Sequence, residues 1–215
     1  LVWSVNLNGE KLYNILMENS KFAAEIGNVS KELCGGPHVK NTSELGYEAA
    51  LNAIKDAGID KTEIEAIIVA TMTPDNAMPS TACLIQEMLG LNDQKIMAFD
   101  MNAACNGFIS ALQVGSSLLG RFKTVLVVGA ETNSKILDFA DRSTCILFGD
   151  GAGAAVLRYE ECEKETFMYS NSMGDNKNVL TCKNNGLTPL MTSNRAVNNY
   201  MTMQGNDVFR FAIRV

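Results

Sequence analysis

Residues 96–120 read IMAFDMNAACNGFISALQVGSSLLG, a stretch in which a predicted strand passes directly into a predicted helix. The apolar run 96–101 suits a buried strand, and apolar residues return at helical spacing soon after Cys105. The first turn of a helix has unpaired backbone N–H groups and the positive end of the helix dipole, and both favour a thiolate. Cys105 is therefore a candidate nucleophile. The alternative is a small buried apolar side chain, the usual role of a single cysteine among apolar residues.

Helical and strand-like patterns alternate along the chain. Residues 41–58 have the apolar spacing of a helix that starts at Asn41, whereas 66–72 and 124–131 are apolar runs rich in β-branched residues. Strands that are apolar on both faces are typical of a parallel sheet covered by helices on each side. The alternation predicts an α/β domain with a mostly parallel sheet, in which loops beyond the carboxyl ends of the strands carry the chemistry. Cys105 follows such an end.

Turn residues define the remaining segments. A short helix is predicted from Thr81 to Gly90, and Ser80 or Thr81 can cap its start. From 169 to 200 the chain is rich in Asn, Met and Thr, which indicates an exposed excursion with short strands, and helical spacing returns after Gly205.

A cluster of three glycines raises the question of a phosphate-binding loop. Its members are Gly149, Gly151 and Gly153. Such a loop needs a strand before it and a helix after it, but the residues that follow, AAVLRYE, are strand-like. We therefore interpret the cluster as tight packing within a sheet rather than as a nucleotide site.

Composition excludes several classes of protein. The chain has 215 residues, of which 47% are hydrophobic, and a formal net charge of −6 with scattered Lys and Arg. It can bury a substantial core, and it has no basic stripe to hold a nucleic-acid backbone. The longest apolar runs are far shorter than the ~18 residues of a membrane span, and no charged-then-apolar leader precedes them. We expect a cytoplasmic protein that binds neither nucleic acid nor membrane.

The six cysteines indicate reduced thiols. None forms a CxxC pair, and none has a zinc-like spacing with the single histidine, His38. We therefore expect no bound metal.

Five motifs together resemble one family. They are AFDMNAACNGFISAL, IIVATMTPDNAMPSTACLIQ, VLVVGAET, ADRST followed by LFGDGAGAAVL, and MTMQGNDVF. With them, residues 41–215 resemble the β-ketoacyl-acyl carrier protein synthase III enzymes of the thiolase-like fold. The resemblance implies a homodimeric condensing enzyme that starts fatty acid synthesis without a cofactor. It would take an acyl group from acyl-CoA, with acetyl-CoA as the expected donor, onto its cysteine and join it to malonyl-acyl carrier protein. Cys105 matches that cysteine.

The resemblance also assigns binding roles to other residues. Arg142 matches the arginine that packs against the CoA adenine, and Gly205 and Phe209 match positions that line the CoA channel. Met78 matches the residue that reaches across a dimer interface to the partner's acyl pocket, and Phe148 matches one beside the nucleophile. The alternatives are a surface salt bridge for Arg142, helix-start packing for Gly205 and Phe209, and core packing for Met78 and Phe148.

The resemblance divides the chain into a divergent amino-terminal segment 1–40, a first thiolase-like half-domain 41–160, and a segment 161–215. That last segment contains the excursion and the start of the helix leading into a second half. Because the chain begins without Met and stops within a helical pattern, we expect a missing piece at each end. The resemblance implies that the piece after Val215 is the second half, with the family's catalytic His and Asn. His38 lies ahead of the matched residues and cannot replace that histidine.

Three functional interpretations follow. The first is a complete synthase, of which this sequence is the amino-terminal part or which a separate chain completes. The second is a truncated, non-catalytic relative that can at most acylate itself. The third is another condensing enzyme, such as a polyketide starter enzyme or a hydroxymethylglutaryl-CoA synthase.

Overall fold

The computed structural model describes residues 41–159, 169–172, 174, 177–182 and 200–213, and the backbone of 24–26 and 30–32. His38 and most of the divergent segment 1–40 lie outside these residues. The chain forms two compact units, Leu1–Thr132 with Asp150–Met168, and Asn133–Gly149 with Tyr169–Val215. The described elements are, in chain order, β1 (Ala24–Ile26), β2 (Ser30–Glu32), α1 (Thr42–Ala57), β3 (Ala66–Ala70), α2 (Thr81–Met88), β4 (Met97–Met101), α3 (Gly107–Leu118), β5 (Thr124–Thr132), α4 (Arg142–Cys145), β6 (Asp150–Arg158), β7 (Leu180–Thr181), β8 (Thr202–Met203) and α5 (Gly205–Ala212).

The first unit contains a four-stranded sheet in the order β4-β3-β5-β6. The central strand β3 is parallel to both β4 and β5, and β6 is antiparallel to β5. At the carboxyl edge Ala70 pairs with Met101 on one side and with Gly129 on the other. The predicted mostly parallel sheet is therefore confirmed, and the loop that carries Cys105 leaves it at a carboxyl end.

Helices cover both faces of this sheet because its strands are apolar on both. Side chains alternate across a strand, so Ile67 and Val69 face one layer while Ile68 faces the other. The layer formed with α1 and α2 contains Ala50, Ile54, Ile64, Ile67, Val69, Ala82, Ile85, Leu89, Leu91, Leu126, Val128 and Ala130. The layer formed with α3 contains Ala66, Ile68, Ala70, Ala111, Leu119, Val125, Val127 and Leu157.

The strand β4 differs from the expectation of a buried strand. Within the described residues it pairs with β3 alone, and Met97 at its start is 45% exposed. An edge strand has a neighbour on one side only, so an apolar run does not guarantee burial. The edge position of β4 matters for the site, because β4 leads directly into the segment that contains Cys105.

Both helices ahead of β4 begin where predicted. Asn41 precedes α1, but its Nδ2 donates to Glu44 Oε1 at 2.7 Å instead of its side chain capping the backbone. The cap comes from Asp75, whose carboxylate accepts from the N–H groups of Thr42 and Ser43 at 2.7 and 2.8 Å.

The start of α2 has two caps, of which one was predicted. Ser80 Oγ accepts from the Cys83 N–H at 3.2 Å. The Asp100 carboxylate of β4 accepts from the N–H groups of Thr81 and Ala82 at 2.7 and 2.8 Å. A carboxylate at a helix N-terminus satisfies unpaired donors and interacts favourably with the helix dipole.

Gly151 and Gly153 lie in β6 and Gly149 directly precedes it, as the strand-like sequence after the cluster predicts. The expectation of tight packing is wrong: among the described atoms, a Cβ added at any of Gly149, Gly151 and Gly153 would meet none within 4 Å. By contrast, a Cβ at Gly46 of α1 would lie 2.8 Å from Ile85 Cδ1. Close helix packing therefore depends on glycines in the other elements.

The second unit contains the short helix α4, the two-stranded pair β7 and β8, and the amphipathic helix α5. The helix predicted after Gly205 is confirmed. Of the short strands predicted within 169–200, the structure shows β7, and most of that range lies outside the described residues. The Gln204 N–H donates to Val179 O at 2.7 Å, and the Met201 N–H donates to Ile136 O at the same distance. Among the helices that the structure describes, none is long and apolar enough to cross a membrane.

Candidate active site

Cys105 lies in a single 3-10 turn, Ala104–Asn106, that connects β4 to α3. The Asn106 N–H donates to Ala103 O at 3.1 Å, and the Gly107 N–H donates to Ala104 O. The α-helix starts immediately afterwards, so the predicted strand-to-helix junction is confirmed. Cys105 belongs to the turn that precedes the helix rather than to its first α-helical turn.

Small residues bring the start of α3 close to the sheet. Gly107 is buried, and a Cβ there would lie 3.3 Å from the Cβ of Ala70 at the end of β3. Phe108 lies over Gly129 of β5, where a Cβ would be 3.0 Å from Phe108 Cδ2. The helix start is therefore packed directly against the carboxyl ends of the two central strands, which fixes the position of the turn before it.

The thiol is exposed, in contrast to the alternative of a buried apolar cysteine. Residues 102–106 are all exposed. Within the described part of the chain no group accepts a hydrogen bond from the Cys105 backbone N–H. A nucleophile that attacks a thioester carbonyl generates an oxyanion, which unused backbone N–H groups at a helix start can stabilise. Cys105 thus has an accessible sulfur and an unused donor on one residue.

The segment before the thiol has an unusual backbone that the sequence alone did not indicate. Ala104 has φ +45°, in the left-handed region that alanine rarely adopts. The Ala104 N–H donates to Asn102 Oδ1 at 3.1 Å. An Asn whose side chain accepts from the backbone N–H two residues later is typical of such a turn, so Asn102 was the signal that the sequence offered.

A half-buried carboxylate, which sequence reasoning missed, joins two loops at the same edge of the sheet. Glu131 of β5 accepts from Thr73 Oγ1 at 2.6 Å, from the Met72 N–H at 2.8 Å and from Thr71 Oγ1 at 3.4 Å. Burial raises the pKa of Glu131, while these hydrogen bonds act in the opposite direction. The one signal was a charged residue at the end of an otherwise apolar strand.

Three threonines extend this arrangement into α1. Thr73 Oγ1 also accepts from the Thr132 N–H at 2.8 Å. Thr42 Oγ1 donates to Thr73 O at 2.5 Å and lies 2.7 Å from Thr132 Oγ1. All three side chains are buried. The loop after β3, the end of β5 and the start of α1 therefore form one fixed support at the carboxyl edge.

The other predicted site residues are divided between the two units. Met78 lies in the first unit, as Cys105 does, and is 84% exposed, so core packing is wrong for it among the described residues. In the second unit Arg142 is the exposed first residue of α4, and Phe148 is half-buried. Gly205 is the exposed first residue of α5, and Phe209, one turn later, is 65% exposed.

No metal site is found among the described residues, because no group of three or more His, Cys, Asp or Glu could hold an ion there.

Comparison with known proteins identifies the family. Residues 99–176, which include Cys105, match the family model described as 3-oxoacyl-[acyl-carrier-protein] synthase III. A β-ketoacyl-[acyl-carrier-protein] synthase III of Clostridium kluyveri is 45% identical over 178 residues, which is 82% of this chain and 54% of that protein. The chain belongs to the β-ketoacyl-[acyl-carrier-protein] synthase III family. A synthase III of Campylobacter fetus is likewise 45% identical, over 80% of the chain and 53% of the relative.

Solved structures agree with the predicted thiolase-like fold. The synthase III of Aquifex aeolicus has a TM-score of 0.68 and 37% identity, covering 81% of this chain and 53% of that one. The priming β-ketosynthase of the R1128 polyketide pathway has a TM-score of 0.68 and 30% identity, covering 83% and 53%. The chain therefore spans about half the length of these synthase III relatives. A second family model, the threonyl and alanyl tRNA synthetase second additional domain, matches only residues 24–48.

Proposed function

We propose that this synthase III relative transfers an acyl group from acyl-CoA, with acetyl-CoA as the expected donor, to Cys105. In the complete reaction the acyl group would then be condensed with malonyl-acyl carrier protein to start fatty acid synthesis. The observation that carries the proposal is the exposed thiol and unused N–H of Cys105 directly before α3, within the residues that match the family model.

In the first step the Cys105 sulfur attacks the thioester carbonyl of acyl-CoA. A carbon–sulfur bond forms, and the carbonyl oxygen becomes an oxyanion that the Cys105 N–H and the start of α3 stabilise. The oxyanion then collapses, the bond to the CoA sulfur breaks, and CoA leaves as a thiolate that takes up the proton given up by Cys105. The products are acyl-Cys105 and free CoA.

In the second step malonyl-acyl carrier protein loses CO₂, and the resulting carbanion attacks the acyl carbonyl on Cys105. A carbon–carbon bond forms, the bond to the Cys105 sulfur breaks, and the thiol is regenerated by protonation. The family resemblance assigns the decarboxylation to a His and an Asn outside the matched residues, so no residue of this chain is given that role.

The remaining residues are proposed to bind the donor. From the resemblance, Arg142 would pack against the CoA adenine, Gly205 and Phe209 would line the channel, and Phe148 would take the position beside the nucleophile. Arg142 and Phe209 are both exposed. Met78, also exposed, would reach the acyl pocket of a second copy in a homodimer. The proposed location of the reaction is the cytoplasm.

The test uses the full chain with labelled acetyl-CoA, followed by peptide mass spectrometry to locate the label. We expect label on Cys105 and none after Cys105→Ala. The matched control is Cys83→Ala, which removes another exposed thiol, on α2, and should leave the labelling unchanged. An unlabelled parent protein at millimolar acetyl-CoA would overturn the proposal.

Addition of malonyl-acyl carrier protein to the labelled protein then separates two outcomes. A β-ketoacyl-carrier product supports the whole reaction. Label without product supports acyl transfer alone, and favours the relative that acylates itself but does not condense.

A polyketide starter function is the second candidate, favoured by the likeness to the R1128 priming β-ketosynthase. A panel of acyl-CoA donors of increasing chain length distinguishes the two. Fastest labelling of Cys105 by acetyl-CoA favours the start of fatty acid synthesis, whereas fastest labelling by a longer or branched donor favours a starter function.

A further inference from the structure

The Asn102 side chain forms a hydrogen bond with the backbone immediately before Cys105. Its Oδ1 accepts from the Ala104 N–H at 3.1 Å, and Ala104 has φ +45°. A left-handed backbone is unfavourable for alanine, because its Cβ crowds the following carbonyl. Asn side chains that bond the backbone two residues ahead stabilise turns of this kind. The conformation of Ala104 therefore depends on a bond from outside the regular elements.

That conformation determines where Cys105 points. The Cys105 N–H belongs to the peptide that follows the Ala104 Cα, so rotation at Ala104 redirects both this N–H and the thiol. If Ala104 took an ordinary helical φ, the peptide between Ala104 and Cys105 would be rotated, and the Cys105 N–H and thiol would point in another direction. With Ala104 left-handed, that N–H has no acceptor among the described residues and the thiol is exposed.

The two asparagines that flank this turn differ in what they bond. Asn106, on the other side of Cys105, donates from Nδ2 to Ser110 Oγ at 3.1 Å and makes no side-chain bond to the backbone of the turn. Both are exposed. Only Asn102 therefore has a bond that constrains the residue preceding the thiol.

We propose that Asn102 is a positioning residue for Cys105. It holds Ala104 left-handed and thereby fixes the direction of the peptide that carries the Cys105 N–H and of the thiol. The geometric role is independent of the substrate, whereas its effect on acyl transfer rests on the proposed function above.

The test measures alkylation of individual cysteines in the full chain by iodoacetamide, in which a thiolate displaces iodide. In Asn102→Ala we expect the Cys105 rate to fall by about three- to tenfold, the range of interactions at a helix N-terminus. Cys83, exposed on α2, is the internal control and should keep its rate. Asn106→Ala is the matched variant, and its Cys105 rate should stay within about twofold of the parent.

A second variant tests the mechanism. Glycine populates positive φ without the steric cost that alanine has. Ala104→Gly introduced into Asn102→Ala should therefore restore most of the lost Cys105 rate, which a merely destabilising substitution would not do. The rate constant for acyl transfer from acetyl-CoA should fall in Asn102→Ala and recover in the double variant, as the alkylation rate of Cys105 does. The apparent affinity for acyl-CoA should stay unchanged in both variants.

Three results would overturn the positioning role: a Cys105 rate in Asn102→Ala within about twofold of the parent, an equal change at Cys83, or no recovery on adding Ala104→Gly. The two proposals fail separately. If acetyl-CoA never labels the parent protein while the alkylation rates follow the expected order, the proposed function is wrong and Asn102 still positions the thiol.

Discussion

The Thr73 hydroxyl donates to the Glu131 carboxylate at 2.6 Å and joins the loop after β3 to the end of β5. The same oxygen accepts from the Thr132 N–H at 2.8 Å, so one buried side chain fixes two segments. These segments lie beside the strands that support the start of α3. The rigidity of the proposed site therefore depends on polar contacts as well as on the apolar layers.

Thr73→Val should destabilise the first unit. The substitution keeps the shape of the side chain but leaves the Thr132 N–H without its acceptor and Glu131 Oε2 with only the 3.4 Å hydrogen bond from Thr71 Oγ1. A buried polar group left unpaired costs about 1–3 kcal/mol, so we expect a loss of about 1–3 kcal/mol in the free energy of unfolding measured in urea. Thr62→Val is the control, since Thr62 is exposed and bonds only Asp60, also exposed; its loss should stay below about 0.5 kcal/mol. Equal losses in the two variants would contradict the role of Thr73.

Glu131→Gln should change how stability depends on pH. Burial raises the pKa of Glu131, so the folded state holds this proton more tightly than the unfolded state does. The resulting stabilisation is complete below the unfolded value of about 4.3 and is lost as the pH rises through the higher folded value. Glutamine cannot ionise and lacks this component.

The measurement is the difference in unfolding free energy between parent and Glu131→Gln from pH 4 to pH 8. The parent should be favoured most at the acidic end, and its advantage should shrink as the pH rises. Exposed Asp60 and Asp141, whose pKa values are lowered by hydrogen bonds, act in the opposite direction but are common to both proteins. A difference that grows with pH would show that the direction assigned to Glu131 is wrong.

Local patterns account for most of what could be predicted. The starts of α1 and α2, the central strand β3 and the junction at Cys105 follow from spacing within short windows of sequence. The same windows contain no information on partners that are distant in the chain. The caps from Asp75 and Asp100 and the contact of Glu131 with Thr73 each join residues far apart in sequence, and all three were missed.

The two incorrect expectations for the sheet have the same origin. An apolar run predicts a strand, but whether β4 is central or at an edge depends on the order of strands, which periodicity does not encode. A glycine suits either close packing or an open surface. Among the described atoms none lies within 4 Å of a Cβ added at Gly153, whereas its pairing partner Gly129 is covered by Phe108.

Asp100→Ala should loosen the start of α2. The substitution leaves the N–H groups of Thr81 and Ala82 without their carboxylate, while the Ser80 cap on Cys83 is kept. We expect a loss of about 1–2 kcal/mol in unfolding free energy, and faster hydrogen exchange at those two amides. Asp93→Ala, at an exposed carboxylate between α2 and β4, is the control and should alter neither quantity. Unchanged exchange at Thr81 in Asp100→Ala would exclude a capping role for Asp100.

Gly129→Ala should displace the start of α3, because the Phe108 side chain of α3 packs over Gly129 of β5. The added Cβ would lie 3.0 Å from Phe108 Cδ2, so the Phe108 side chain must shift by a few tenths of an ångström. We expect this shift to displace the turn that carries Cys105. Overpacking of this kind costs about 1–3 kcal/mol, and we expect slower acylation of Cys105 as well as lower stability. The matched control is Gly153→Ala on β6, because Gly153 pairs with Gly129 in the sheet and a Cβ there meets no described atom within 4 Å. If both variants acylate at the parent rate while Gly129→Ala alone is less stable, the position of α3 does not limit the reactivity of Cys105.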